Sequence, residues 1–186
     1  MSYIFIDEVQ ECNNFQVVVD SLFIKDNVDI YITGSNAHML SGELATLLSG
    51  RYLTIEILPL SFEEYLQGVG NDNIESKYRD YLKYGSFPFI LQFKGNEEQI
   101  MNYLDGLYNT IFKKNIIRRN NFSNEDALEN VAKFIFDNIG NLTSSKKISD
   151  SLTSNNQKVS QPTVERYLKA LVDSFFIYKV SRYDVK

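Results

Sequence analysis

The sequence predicts an α/β fold followed by a mostly helical C-terminal part, on three observations. Tyr3-Ile4-Phe5-Ile6 and Asp29-Ile30-Tyr31-Ile32-Thr33 are short, β-rich apolar runs, and a buried parallel strand reads as such a run. Between them Phe15, Val18, Val19, Leu22 and Phe23 recur at helical spacing, so strand, helix and strand make a right-handed parallel crossover. From Ser61 onward most segments carry helical periodicity instead.

The first strand stops at two adjacent carboxylates, Asp7 and Glu8. Ligands of open α/β sheets collect just beyond the carboxyl ends of strands, so these two groups sit where chemistry is expected. In a P-loop NTPase this arrangement is the Walker B element: the first carboxylate helps hold Mg²⁺ and the next polarises the attacking water. The plainer alternative is a strand that ends in a solvated loop. The second strand also ends in small polar residues, Thr33-Gly34-Ser35-Asn36. The crossover places Asn36 beside Asp7 on one edge, where Ser35 or Asn36 is a candidate sensor of phosphate or water. The competing account makes Gly34 a turn residue and Asn36 a helix cap.

Composition bounds the alternatives. With 186 residues, 44% of them hydrophobic and 23% charged, the chain can bury a core and matches ordinary globular proteins. No apolar run approaches the roughly 18 residues of a membrane span, and Met1-Ser2 leads directly into a strand, so a cytoplasmic protein without membrane contact is expected. Cys12 is the single cysteine and His38 the single histidine, which excludes an intrachain disulfide and a His/Cys zinc cage. A net charge of −5 requires any nucleic-acid contact to be local.

Met39 to Leu48 reads as a helix closed by Gly50. Arg51 precedes an alternating segment, Tyr52 to Leu58, expected to be a strand near the sheet edge. Pro59 breaks pairing, and Ser61-Phe62-Glu63-Glu64 is a capping box that opens a helix.

Four segments, Tyr3 to Gln10, Tyr31 to Asn36, Leu40 to Arg51 and Leu58 to Tyr65, together resemble a prokaryotic family of AAA-type ATP-binding proteins whose C-terminal part is a domain of unknown function. The resemblance implies the C-terminal half of a P-loop NTPase parallel sheet with a helical lid, with ATP and Mg²⁺ as cofactors. It makes Asp7 the Mg²⁺-associated carboxylate, Glu8 the water-activating one and Ser35 or Asn36 the sensor. Arg51 is a candidate arginine finger acting on a neighbouring subunit, which implies a homo-oligomer through that edge; the alternative is a surface arginine paired with an acid. No Gly-x-x-x-x-Gly-Lys-Ser/Thr occurs in the sequence. The family carries that loop upstream of its Walker B strand, so the chain reads as truncated at its N-terminus and, alone, inactive toward ATP.

The expected organisation is a partial ATPase core over 1–67, a lid and connecting helix over 68–120, and a winged-helix-like domain over 121–186. The turn-rich Gly68 to Asn73 marks the first boundary. Helices follow at Ile74 to Leu82 and at Glu97 to about Arg118. The latter ends in Lys113, Lys114, Arg118 and Arg119, which either complement the helix C-terminus or contact phosphate. In the last third, helices capped at Ser123 or Asn124, running from about Lys146 to Leu152, and opened by Pro162 precede an expected strand at Phe175 to Tyr183. That is the order of a winged helix-turn-helix. Its exposed Arg166 and Lys169, with Lys146 and Lys147, are candidate DNA contacts, whereas Glu165 on the same helix repels phosphate. The family usually continues into a nuclease-like domain, whose acidic motif is absent here. Two other functions compete with the ATPase: a DNA-binding regulator that uses the α/β part as a platform, and a protein-interaction adaptor without nucleotide chemistry.

Overall fold

A computed structural model describes residues 1–35, 50–181 and 183. The chain divides into two compact units, one made of Met1–Leu53 with Lys113–Lys186 and the other of Thr54–Phe112.

In the first unit, β1 (Ser2–Ile6) and β2 (Val28–Ile32) pair in parallel, in a register that sets Ser2 opposite Val28 and Ile6 opposite Ile32. The connection contains a 3-10 turn (Val9–Glu11) and helix α1 (Phe15–Phe23). Side chains alternate along a strand, and here the alternation sorts aliphatic from aromatic. Ile6 and Ile32 pack on a buried cluster of Val9, Phe15 and Val19. On the opposite face the Phe5 and Tyr31 rings stack at 5.1 Å with Tyr3 beside them, and all three are exposed, Phe5 at 75%.

The same unit includes three mutually packed helices, α5 (Glu125–Asp137), α6 (Ser145–Ser154) and α7 (Gln161–Asp173). Each starts at a polar cap: Asn124, Ser144 and Ser160 accept the backbone N–H of Ala127, Lys147 and Thr163. Leu128, Val131, Ile148, Val164 and Leu171 are fully buried between them. Pro162 lies in the first turn of α7, where its missing N–H costs nothing.

The second unit holds α2 (Phe62–Val69), α3 (Ile74–Tyr84), a 3-10 turn (Pro88–Phe93) and α4 (Glu97–Asn109). The expected capping box opens α2: the Ser61 hydroxyl accepts the Glu64 N–H at 3.3 Å, and the Glu64 carboxylate accepts the Ser61 N–H at 2.8 Å. Tyr84, Ile90 and Ile100 form the core. The helical pattern running on from α4 is not α throughout. Thr110–Arg118 is a π-helix, a rare geometry at this length.

Two expected strands are absent among the described residues. Tyr52 to Leu58 carries the alternation of a strand but has no ladder partner, and Ile55 and Ile57 are 78% and 89% exposed. A strand exists only as part of a ladder, so alternation alone left this segment unpaired. Beyond α7 the chain turns at Ser174 and Phe175, the latter at φ 56°, and the described part of Phe175 to Tyr183 joins no sheet. The expected helix from Met39 to Leu48 lies outside the described residues, as do Asn36 and His38.

Candidate functional site

Because Ile6 faces Ile32 in the parallel register, the next residues, Asp7 and Thr33, leave the two strands side by side. The Thr33 N–H donates to the Ile6 carbonyl at 2.9 Å and the Val9 N–H to the Thr33 carbonyl at 3.0 Å, which extends the ladder past its last formal pair. The Thr33 hydroxyl donates to the Asp7 carboxylate and accepts the Glu8 N–H at 3.1 Å. One step further on, the Ser35 hydroxyl donates to Glu8 Oε2 at 3.1 Å. Two carboxylates and two hydroxyls from neighbouring strand ends thus form one hydrogen-bonded group.

Glu8 adopts a left-handed backbone, φ 46° and ψ 53°, which costs a non-glycine residue on the order of 1 kcal/mol. The turn is held on its far side by Val9, which is 1% exposed in the α1 core. Burial of Val9 and the bonds to Thr33 offset the strain, and the result is a Glu8 side chain displayed at the sheet edge beside Asp7. Strain at such a position is a common mark of a functional turn.

Asp7 and Glu8 are exposed, and among the described residues no group of three or more His, Cys, Asp or Glu could cage a metal ion. An all-protein site is therefore not built here. Mg²⁺, however, is ordinarily held by one or two carboxylates completed by waters and substrate phosphates, and the oxygen-only set of Asp7, Glu8, Thr33 and Ser35 has that chemistry.

Of the other sequence candidates, Asn36 lies outside the described residues. Arg51 is directed to α1: its Nη1 lies 3.3 Å from Asp20 Oδ1 and its guanidinium 5.8 Å from the Phe23 ring centre. Thr33 is the residue that sequence reasoning passed over, although its hydroxyl connects both carboxylates. The register carries the signal, since a parallel pairing of the two strands that matches Ile6 to Ile32 must set Thr33 against Asp7.

In the three-helix part, Lys146 and Lys147 are exposed in the first turn of α6, and Arg166 and Lys169 are exposed on α7. Three residues apart on one helix, Arg166 and Lys169 share a face. Glu165 lies beside them, its carboxylate accepting from Gln161 Nε2 at 3.0 Å and from the Ser145 hydroxyl at 2.9 Å. Those two bonds, Gln161's first, hold its carboxyl below the usual range. Glu165 thus ties α6 to α7 while staying ionised.

Residues 1–66 match the family model of an AAA domain, and residues 75–186 match that of a domain of unknown function, DUF8612. The chain is 40% identical over 188 residues to an uncharacterized protein of Haemophilus influenzae, covering 99% of this chain and 46% of that protein. It is 30% identical over 198 residues to an uncharacterized protein of Methanocaldococcus jannaschii, covering 98% of this chain and 44% of that one. The chain spans about half the length of these relatives. No described helix is long and apolar enough to cross a membrane. With the DUF8612 match running over more than half of its length behind an AAA-like N-terminal region, the chain belongs to the DUF8612 family.

Proposed function

We propose that the strand-end group of Asp7, Glu8, Thr33 and Ser35 is the hydrolytic half of an AAA-type ATP site, completed in the full-length protein by a phosphate-binding loop that this sequence does not contain. The observation that supports it most is the bonded set itself: two adjacent carboxylates at the carboxyl end of a parallel strand, oriented by hydroxyls from the next strand. Bound Mg²⁺ would neutralise charge on the transferring phosphoryl group. Asp7 is the carboxylate for the ion's water or phosphate shell. Glu8, fixed by its strained turn and by Ser35, is the base that orients and polarises the attacking water. Thr33 sets the spacing of the two, and Ser35 and Asn36 remain sensor candidates.

Arg51 fits the arginine-finger role in a homo-oligomer because little holds it. A surface ion pair such as Arg51 with Asp20 is worth about 0–1 kcal/mol, so the guanidinium can leave α1 for a neighbour's phosphate at small cost.

The reading is tested in a chain extended to the length of its relatives. Glu8→Gln should bind ATP normally and hydrolyse it on the order of 10² or more slowly. Arg51→Ala in the same assay should lose roughly 10³ and regain hydrolysis when mixed with a phosphate-loop mutant that keeps Arg51, whereas no rescue would show that the finger does not act between subunits. Hydrolysis by Glu8→Gln at the wild-type rate removes Glu8 from the mechanism.

A second activity is supported by α6, the turn after it and α7, which present Lys146, Lys147, Arg166 and Lys169 to solvent from a packed three-helix core. We read this part as a DNA-contacting module. A fluorescein-labelled duplex should bind at low salt and release as salt rises, and Arg166→Ala with Lys169→Ala should weaken it. A duplex that fails to bind even at low salt would leave this part as a protein-interaction module.

A further inference from the structure

The basic run at Lys113, Arg118 and Arg119 lies on and just beyond the π-helix, and the π winding gives it a geometry an α-helix would not. In a π-helix the hydrogen bonds run between residues five apart rather than four, so residues five apart lie nearer to one face than they would in an α-helix. Phe112, Ile116 and Ile117 are buried. Lys113, Arg118 and Arg119 are exposed. In an α-helix residues three and four apart share a face, so Lys113 and Arg118 would diverge and Ile117 would intrude between Lys113 and the arginines. The π winding therefore separates a buried apolar side from a cationic ridge.

The ridge is joined to α7 by one ring. After Arg119 the chain reverses at Asn121, φ 51°, and the Phe122 N–H closes on the Ile117 carbonyl at 3.2 Å. The Phe122 ring then receives the Tyr167 edge at 4.8 Å and the Arg166 guanidinium at 5.6 Å. Tyr167 also donates to the Asn124 carbonyl at 3.3 Å. Arg166 is thus held against the residue that ends the ridge. Stacking on a ring uses the face of a guanidinium and leaves its in-plane N–H donors available for phosphate. Among the described residues, none of Lys113, Arg118, Arg119 and Arg166 is in an ion pair within 4.0 Å. The acids that follow the ridge in sequence, Glu125 and Asp126, are in the first turn of α5, where they complement that helix's N-terminus, and Glu165, next to Arg166, is bonded to Gln161 and Ser145.

We propose that Lys113, Arg118 and Arg119, with Arg166 anchored on Phe122, form one binding surface for the phosphate backbone of duplex nucleic acid, so that the π-helix end is the main grip and α7 the second contact. The proposal rests on the DNA-binding reading and gives it a different principal site.

The test is anisotropy of the chain with a fluorescein-labelled 20-base-pair duplex over about 50 to 200 mM salt, where each lost phosphate contact lowers the slope of log affinity against log salt by roughly 0.9. Arg118→Ala with Arg119→Ala should lower the slope by about two and the low-salt affinity about tenfold or more. Arg118→Lys with Arg119→Lys should keep the slope, and Arg79→Ala, which removes an exposed arginine of the other unit paired with Glu75, should change neither quantity. Circular dichroism melting of each variant identifies any loss due to unfolding, and in that event Arg118→Gln with Arg119→Gln, which keeps long polar side chains and removes the charge, decides by the same slope. If the wild type binds but the alanine pair keeps its slope and affinity, the ridge is not the site while the DNA reading stands. If the wild type does not bind at low salt, or poly-glutamate binds as tightly as the duplex, the nucleic-acid reading and the ridge assignment fall together.

Discussion

Thr33 carries the most specific lesson at the scale of single residues. Its hydroxyl is bonded to both Asp7 and Glu8, yet in the sequence it is an ordinary β-branched residue ending a strand. Asp7 and Glu8 were legible because acids after an apolar run are conspicuous; Thr33 was not, because its role depends on pairing register rather than on its own chemistry. Thr33→Val is nearly isosteric and keeps the strand, so it isolates the hydroxyl. Groups that orient ligating carboxylates are typically worth 10- to 100-fold in metal affinity or activity, and Thr33→Val in the extended chain should raise the Mg²⁺ concentration for half-maximal hydrolysis by about that factor. An unchanged Mg²⁺ dependence would make Thr33 a structural strand residue only.

Elements were legible where their signal is local and illegible where they need a partner. The capping box at Ser61 and Glu64, the cap at Asn124 and the first-turn Pro162 are local signals, and the helices begin where those residues stand. Tyr52 to Leu58 and the segment after α7 have strand-like alternation, but a strand is completed by another strand, and sequence periodicity does not supply one. The π-helix was hidden for a related reason: Thr110 to Arg118 fits helical spacing well enough that only the separation of Phe112 and Ile117 from Lys113 and Arg118 distinguishes the two windings.

The capping box also has a pH signature. Ser61's backbone N–H, then its hydroxyl, hold the Glu64 carboxyl below its ordinary value of 4.5. A carboxyl depressed in the folded state contributes stability that is present above its unfolded value and lost as pH falls through the folded one. Acid titration of stability should therefore show less loss on that limb in Ser61→Ala, alongside a uniform cost of about 1 kcal/mol for the missing cap. An acid limb identical to wild type would show that the Ser61 hydroxyl does not link Glu64 to folding.

For the molecule as a whole, an AAA-like region followed by a domain of unknown function was legible from four short segments in order, of which Tyr3 to Gln10 and Leu58 to Tyr65 hold a strand end and a helix start. Residues from both ends of the sequence contribute to one compact unit, and no local pattern encodes that return. The exposed aromatic face of Tyr3, Phe5 and Tyr31 shows the same limit. Parallel sheets are normally covered on both sides, and their sequence does not say by what.

The central claim is that Asp7 and Glu8 form half of a hydrolytic site. Single-turnover hydrolysis of pre-bound ATP, in a chain extended to the length of its relatives, separates chemistry from binding. The account expects Glu8→Gln to retain the bound nucleotide and slow its cleavage on the order of 10² or more. Cleavage at the wild-type rate in that variant would contradict it.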